Sequence, residues 1–119
     1  MIEPAEGLAK RETGIIGLDQ MTQGGLPASG GTLILGRPAA GKTVLALQIL
    51  ARALERGGGA IFVSFEESRR QVLRDAASFS WSHHLQDEQR FELIDARPAP
   101  GARVSGEFDL EGRLQRRCA

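Results

Sequence analysis

The sequence predicts an α/β fold, a mainly parallel sheet covered on its faces by helices. Three observations carry that expectation. Short apolar runs recur at 32–35, 60–65 and 91–94. Two stretches with helical spacing, 42–56 and 68–79, lie between them. Glycine- and proline-rich breaks stand at the junctions.

The elements follow in order. Residues 1–13 are polar and irregular and read as an N-terminal arm; 14–119 read as one domain, since 119 residues hold no more than that. Ile15, Ile16, Leu18 and Met21 form a short apolar-periodic piece that Gly24, Gly25 and Pro27 end. The run 32–35 enters Gly36, a buried-strand signal. From Lys42 to Arg56 the polar positions Gln48, Arg52, Glu55 and Arg56 recur at helical spacing and leave most of the circumference apolar. Such a helix is covered on more than one side. Gly57, Gly58 and Gly59 end it. Residues 60–65, AIFVSF, are a second buried strand by β-branched and aromatic content. Ser68 and Gln71 read as a capping box opening a helix that buries Val72, Leu73, Ala76 and Phe79. Residues 80–90 read as a polar connector carrying Trp81, 91–94 as a third strand, 96–107 as a Pro/Gly loop, and Asp109 as the cap of a last helix.

Composition excludes several functions. Lys and Arg number 15, Asp and Glu 15, so there is no basic excess of the kind nucleic-acid binders carry. Tyrosine is absent and there is one Trp, so base-stacking platforms are scarce. The longest apolar stretch, near 44–47, is far too short to cross a bilayer, and the first residues carry acids where a signal peptide would be apolar. A single cysteine, Cys118, forms no internal disulfide. These features predict a cytoplasmic protein without a membrane partner. Only Lys10 and Lys42 are lysines, in a chain that otherwise uses arginine. Lysine in one particular place then points to its compact charge.

Lys42 lies in Gly36-Arg37-Pro38-Ala39-Ala40-Gly41-Lys42-Thr43, the pattern G-x-x-x-x-G-K-[ST] of a phosphate-binding loop. The glycines let backbone N–H groups ring a phosphate. The following helix, which continues into Val44, aims its positive end at the same anion. Lys42 serves the β- and γ-phosphates, and the Thr43 hydroxyl can ligate Mg²⁺. ATP with Mg²⁺ is the expected ligand.

Glu66 and Glu67 directly follow the strand 60–65. An acidic pair there is ordinarily a solvated loop. Length arithmetic argues otherwise. The helix after the phosphate loop travels ~21 Å away from it, and the strand returns ~20 Å. Both glutamates therefore emerge at the loop's own sheet edge, where α/β sheets bind ligands. A carboxylate there can orient or deprotonate the water that attacks a γ-phosphate. Asp95, at the end of FELID, reaches that edge by the same arithmetic and is a weaker candidate for a metal. His83 and His84 are adjacent, so their side chains should diverge and share no metal. Arg113, Arg116 and Arg117 read as a solvated face, and Trp81 as a core or lid anchor.

Together, TGIIGLDQMTQGGLP, TLILGRPAAGKT, IFVSFEES, SFSW and FELIDARP resemble the KaiC-like ATPases of the RecA superfamily, with RadA-type recombinases as cousins. The likeness runs from Thr13 to about Leu114. It implies a RecA-like core, here an incomplete three-layer α/β/α arrangement. It also implies ATP hydrolysis, with serine/threonine autophosphorylation in clock-type members, and a ring, usually a hexamer, with nucleotide between copies. Gly36, Gly41, Lys42 and Thr43 match the family's phosphate loop, and Glu66 and Glu67 its paired catalytic glutamates. Ser80-Trp81-Ser82 stands where members often carry Gly-Trp-Asp. The family's metal-organising Walker B aspartate belongs to a strand beyond FELIDARP, so impaired turnover is expected of these residues alone. Two other readings stay open: a nucleotide-binding or assembly module without turnover, and a recombinase-type DNA-dependent ATPase.

Overall fold

The computed structural model describes residues 9–98. The last helix expected from Asp109, the arginines at 113, 116 and 117, and Cys118 lie outside them. The element order is β1 (Lys10–Arg11), α1 (Ile16–Met21), β2 (Leu26–Pro27), α2 (Lys42–Glu55), β3 (Ala60–Ser64), α3 (Arg69–Ala76), a 3₁₀ helix (Ser80–Gln86) and β4 (Phe91–Asp95). This is an α/β arrangement around a parallel pair: β3 and β4 run together in register, Ala60 opposite Phe91 and Ser64 opposite Asp95.

Paired residues of a parallel ladder share a face, which decides what the sheet buries. Phe91 and Leu93, with Ala60 and Phe62 beside them, pack against Leu47, Ala51 and Leu54 of α2, Val72 and Ala76 of α3, and Trp81 and Leu85 of the 3₁₀ helix. α2, α3 and the 3₁₀ helix thus join one core on this sheet face, and α1 buries no residue, so the described helices do not form the second layer of a three-layer arrangement. Leu47, Ala51 and Leu54 are fully buried at spacings of four and three, the inner stripe of α2. A second side of α2, Ile49, Leu50 and Ala53, lines a cleft of about 220 Å³ with Arg11, Thr13 and Leu26 of the lead-in. These three are half-buried, so α2 is fully covered along the stripe Leu47, Ala51 and Leu54 alone.

Three local expectations change. Residues 32–35 form no strand among the described residues: Leu33 is 82% and Leu35 83% exposed. A strand satisfies its N–H and C=O groups only through a neighbour, and the parallel pair β3–β4 does not extend to this run. The polar connector 80–90 instead begins with the 3₁₀ helix, which buries Trp81 and Leu85 in the core. Two apolar residues four apart were the available signal. β3 ends at Ser64 rather than Phe65, because the Ser64 hydroxyl bonds Glu67 across a turn.

The stretch before α2 is tied down by polar contacts. Lys10 and Arg11, inside the arm read from the sequence, pair antiparallel with Pro27 and Leu26. The Asp19 carboxylate accepts from the buried Thr13 through its N–H at 2.8 Å and its hydroxyl at 2.6 Å, and from Gly14 N–H at 3.1 Å. Arg56 beyond α2 donates to Glu12 C=O at 2.7 Å. This gives GLD…GG a physical role: Asp19 folds the chain back, and Gly25 lets it pass. Gly25 sits at φ +116, and a Cβ there would lie 2.0 Å from Arg11 C=O.

Two predictions arise here. Gly25→Ala must shift the β1–β2 pair or leave its backbone well, and should lower the Tm by about 4 °C or more in a thermal melt. Hydrogen bonds from Thr13, first from its hydroxyl and then its N–H, hold Asp19 below the usual carboxylate range. With the folded value depressed, this contact stabilises above the ordinary carboxylate pKa and is lost as pH falls through the folded value. A melt series from pH 7 to 3 should therefore show an acid-side drop that Asp19→Asn flattens. An unchanged acid limb in that variant would remove the contact from the account.

Candidate functional site

The loop from Gly36 leads into α2 without a side-chain cap. Gly41 starts the helix at φ +93, and Ala39 is also left-handed at φ +63. Backbone of alternating hand turns N–H groups to one side. The uncapped first turn, which carries no acidic residue, adds donors that an anion can satisfy. The Lys42 ammonium donates to Gly36 C=O, and to Arg37 C=O at 3.4 Å. Gly36 makes room for that reach: a Cβ there would sit 3.3 Å from both Ala40 Cβ and Lys42 Cδ.

The carboxylates arrive from β3. Ser64, buried at the strand end, accepts from Glu67 N–H at 3.0 Å and donates to Glu67 C=O at 2.6 Å. That turn directs Glu66 and Glu67 away from the ladder. Ser68 then caps α3, accepting from Gln71 N–H at 3.2 Å, as the capping-box spacing anticipates.

These parts meet in one cleft of about 510 Å³, lined by residues 38–44 of the loop and α2 together with Glu66, Glu67 and Asp75. Gly36 and Arg37 do not line the cleft, but their carbonyls hold Lys42. Glu67 shares this cleft with Thr43 and Asp75. Burial pushes its pKa up; the bond to Asp75, the charge of Asp75 and that of Glu66 push the same way, and the Thr43 bond opposes them. A carboxyl whose proton affinity is raised, beside the loop 36–43, is suited to accept a proton.

The donor chemistry suits magnesium. That ion takes oxygen ligands, commonly one or two from protein and the rest from phosphates and water. Thr43 and the neighbouring carboxylates are such ligands. Among the described residues no group of three or more His, Cys, Asp or Glu is arranged to hold a metal by itself.

Asp95 stands apart. It ends β4 beside Ser64, but the cleft is lined without it. Its carboxylate accepts from Arg97 Nε and Arg97 Nη2, each at 2.9 Å, and from Arg97 N–H at 3.1 Å. His83 and His84 do not diverge: their rings lie 4.0 Å apart, tilted by 38°. Trp81 is a core anchor; Phe79, expected in the core, lies beyond the end of α3 at Ala76, stays 39% exposed and stacks on Trp81 at 5.1 Å. Sequence reasoning missed Ser64 and Asp75. An acid on a helix surface is ordinarily solvated, and nothing in the spacing of Asp75 marks it; Ser64 continues a strand pattern.

Among the described residues no helix is long and apolar enough to cross a membrane. The KaiC ATPase family matches residues 11–116. The circadian clock protein KaiC3 of Synechocystis sp. is 38% identical over 117 residues, 96% of this chain and 23% of that protein. The circadian clock oscillator protein KaiC of Prochlorococcus marinus subsp. pastoris is 43% identical over 113 residues, 90% of this chain and 22% of its own. The KaiC of Parasynechococcus marenigrum is 41% identical over 121 residues, 95% of this chain and 24% of its own. The chain thus spans less than a quarter of the length of these curated relatives. With a match over nearly its whole length, and a phosphate loop facing paired glutamates, the chain belongs to the KaiC ATPase family.

Proposed function

We propose that the chain binds ATP and ADP with Mg²⁺ through residues 36–44 and hydrolyses ATP, within a RecA-like core. The observation that carries this reading is the single cleft lined by the loop, Glu66 and Glu67. Backbone N–H groups of the loop and the start of α2 bind phosphate oxygens, and Lys42 leaves the Gly36 and Arg37 carbonyls for the β- and γ-phosphates. Thr43 holds the magnesium ion, which neutralises charge on the phosphates. Glu66 and Glu67 orient the attacking water and take its proton. Self-association into a ring is the assembly the family resemblance implies, and light scattering with and without nucleotide reads it.

A second reading is nucleotide binding without turnover. Asp95, the other acid at this sheet edge, is held by Arg97, which favours that reading. Single-turnover reaction with γ-labelled ATP separates the two. Free labelled phosphate appearing with Mg²⁺ and not with chelator supports hydrolysis. Bound, unreacted ATP supports the second reading. Label retained on serine or threonine would report autokinase chemistry. The even charge count argues against a DNA-dependent recombinase, and binding of single-stranded DNA with a steep salt dependence would reverse that.

A further inference from the structure

Ser64 interrupts an apolar strand. It closes β3 after Ala60, Ile61, Phe62 and Val63, and it is buried, at 7% exposure. It takes no part in the apolar core that the sheet and helices share. A buried hydroxyl without partners is costly, and this one finds both of its partners in a single residue. It accepts from Glu67 N–H at 3.0 Å and donates to Glu67 C=O at 2.6 Å. The main chain of Ser64 is itself fixed by the sheet. Ser64 stands opposite Asp95 in the parallel ladder, and its C=O accepts from Ala96 N–H at 2.7 Å. The next anchor along the chain is Ser68, which caps α3 by accepting from Gln71 N–H. Phe65 and Glu66, both exposed, lie inside the turn that Ser64 and Glu67 close. One hydroxyl thus ties the glutamate pair to the rigid end of the sheet.

We infer that Ser64 is a positioning residue: by clamping Glu67 through its N–H and its C=O, the Ser64 hydroxyl sets where Glu66 and Glu67 stand in the cleft beside the phosphate loop. The inference rests on the hydrolysis reading above for its consequence, and on the two Ser64–Glu67 hydrogen bonds for its structure. Ser64 does not line the cleft, so it meets neither the nucleotide nor the attacking water and acts through the turn. Its contribution is to turnover and not to nucleotide affinity, because the phosphate-binding residues 36–44 belong to another segment of the chain. A reacting group displaced by about 1 Å can lose about a hundredfold in rate. Threonine carries the same hydroxyl and suits a strand, whereas alanine carries none. A merely structural role makes a different forecast: the alanine variant loses stability, while kcat per folded molecule holds.

The test uses the full chain with Ser64→Ala and Ser64→Thr, reading kcat, KM and the Kd of a fluorescent ATP analogue, with a thermal melt to set the folded fraction. Ser64→Ala should lower kcat about tenfold and leave Kd within about twofold. Ser64→Thr should keep kcat within about threefold of the parent. Should Ser64→Ala fail to fold, Ser64→Cys takes its place with the same forecast, since a thiol is close to serine in size and hydrogen-bonds weakly. Unchanged kcat in the folded variant without the hydroxyl overturns the inference. An equal fall in Ser64→Thr, or a loss of affinity as large as the loss of kcat, does the same. If the parent chain binds ATP without turning it over, the hydrolysis reading fails on its own, and amide hydrogen exchange decides the clamp. Removing the hydroxyl should speed exchange of Glu67 N–H about tenfold relative to Ala51 N–H inside α2, because Ser64 is the acceptor for Glu67. Ser64→Thr should restore the protection. An unmoved Glu67 rate, or an equal rise at both amides, overturns the clamp.

Discussion

Lys42→Ala should weaken ATP and ADP binding ten- to hundredfold, about 1.4–2.8 kcal/mol. The range follows from charge-assisted hydrogen bonds, worth about 1.5–3 kcal/mol each. The ammonium group has no competing carboxylate in the contacts that hold it, only the Gly36 and Arg37 carbonyls. Neutral carbonyls are exchanged for phosphate oxygens at little cost, so most of the gain from phosphate should appear as affinity. Removing the ammonium also frees Gly36 from its tether, which loosens the loop and acts in the same direction. The fold should persist, since Lys42 opens α2 outside the buried stripe Leu47, Ala51 and Leu54. Isothermal calorimetry with ATP and ADP checks this, with a thermal melt as the control. Equal affinity for parent and variant would sink the assignment of the loop.

Glu66→Gln with Glu67→Gln should abolish multiple turnover and leave ATP affinity within a few-fold. Loss of general base catalysis is worth roughly 10²–10⁴ in rate, so residual phosphate release should fall below detection. The amides keep the shape of both side chains and remove their charge. Affinity should hold, or rise slightly, because two negative charges leave a site built for an anion. The measurement is steady-state phosphate release beside calorimetry on the same preparation. Retained turnover would return the glutamates to an ordinary solvated loop.

What lay open in the sequence was local. The span of α2, the Ser68 cap and the loop 36–43 could all be read from spacing, because helices and caps close their hydrogen bonds within one or two turns. The meeting of Glu66 and Glu67 with that loop needed one further step, the comparison of helix and strand lengths, and both residues do line the cleft with it. The tertiary structure alone decided the remainder. Residues 32–35 carry a strand's composition and no strand's pairing, since a ladder is made by neighbours and not by propensity. Trp81 and Leu85 enter the core through a 3₁₀ helix that a polar composition concealed. Ser64 acts on Glu67 across a turn, and Asp75 reaches the cleft from a separate helix. Sequence periodicity records which side chains turn inward on one element. It does not record which polar side chains from two elements face each other, because that is set by how the elements pack.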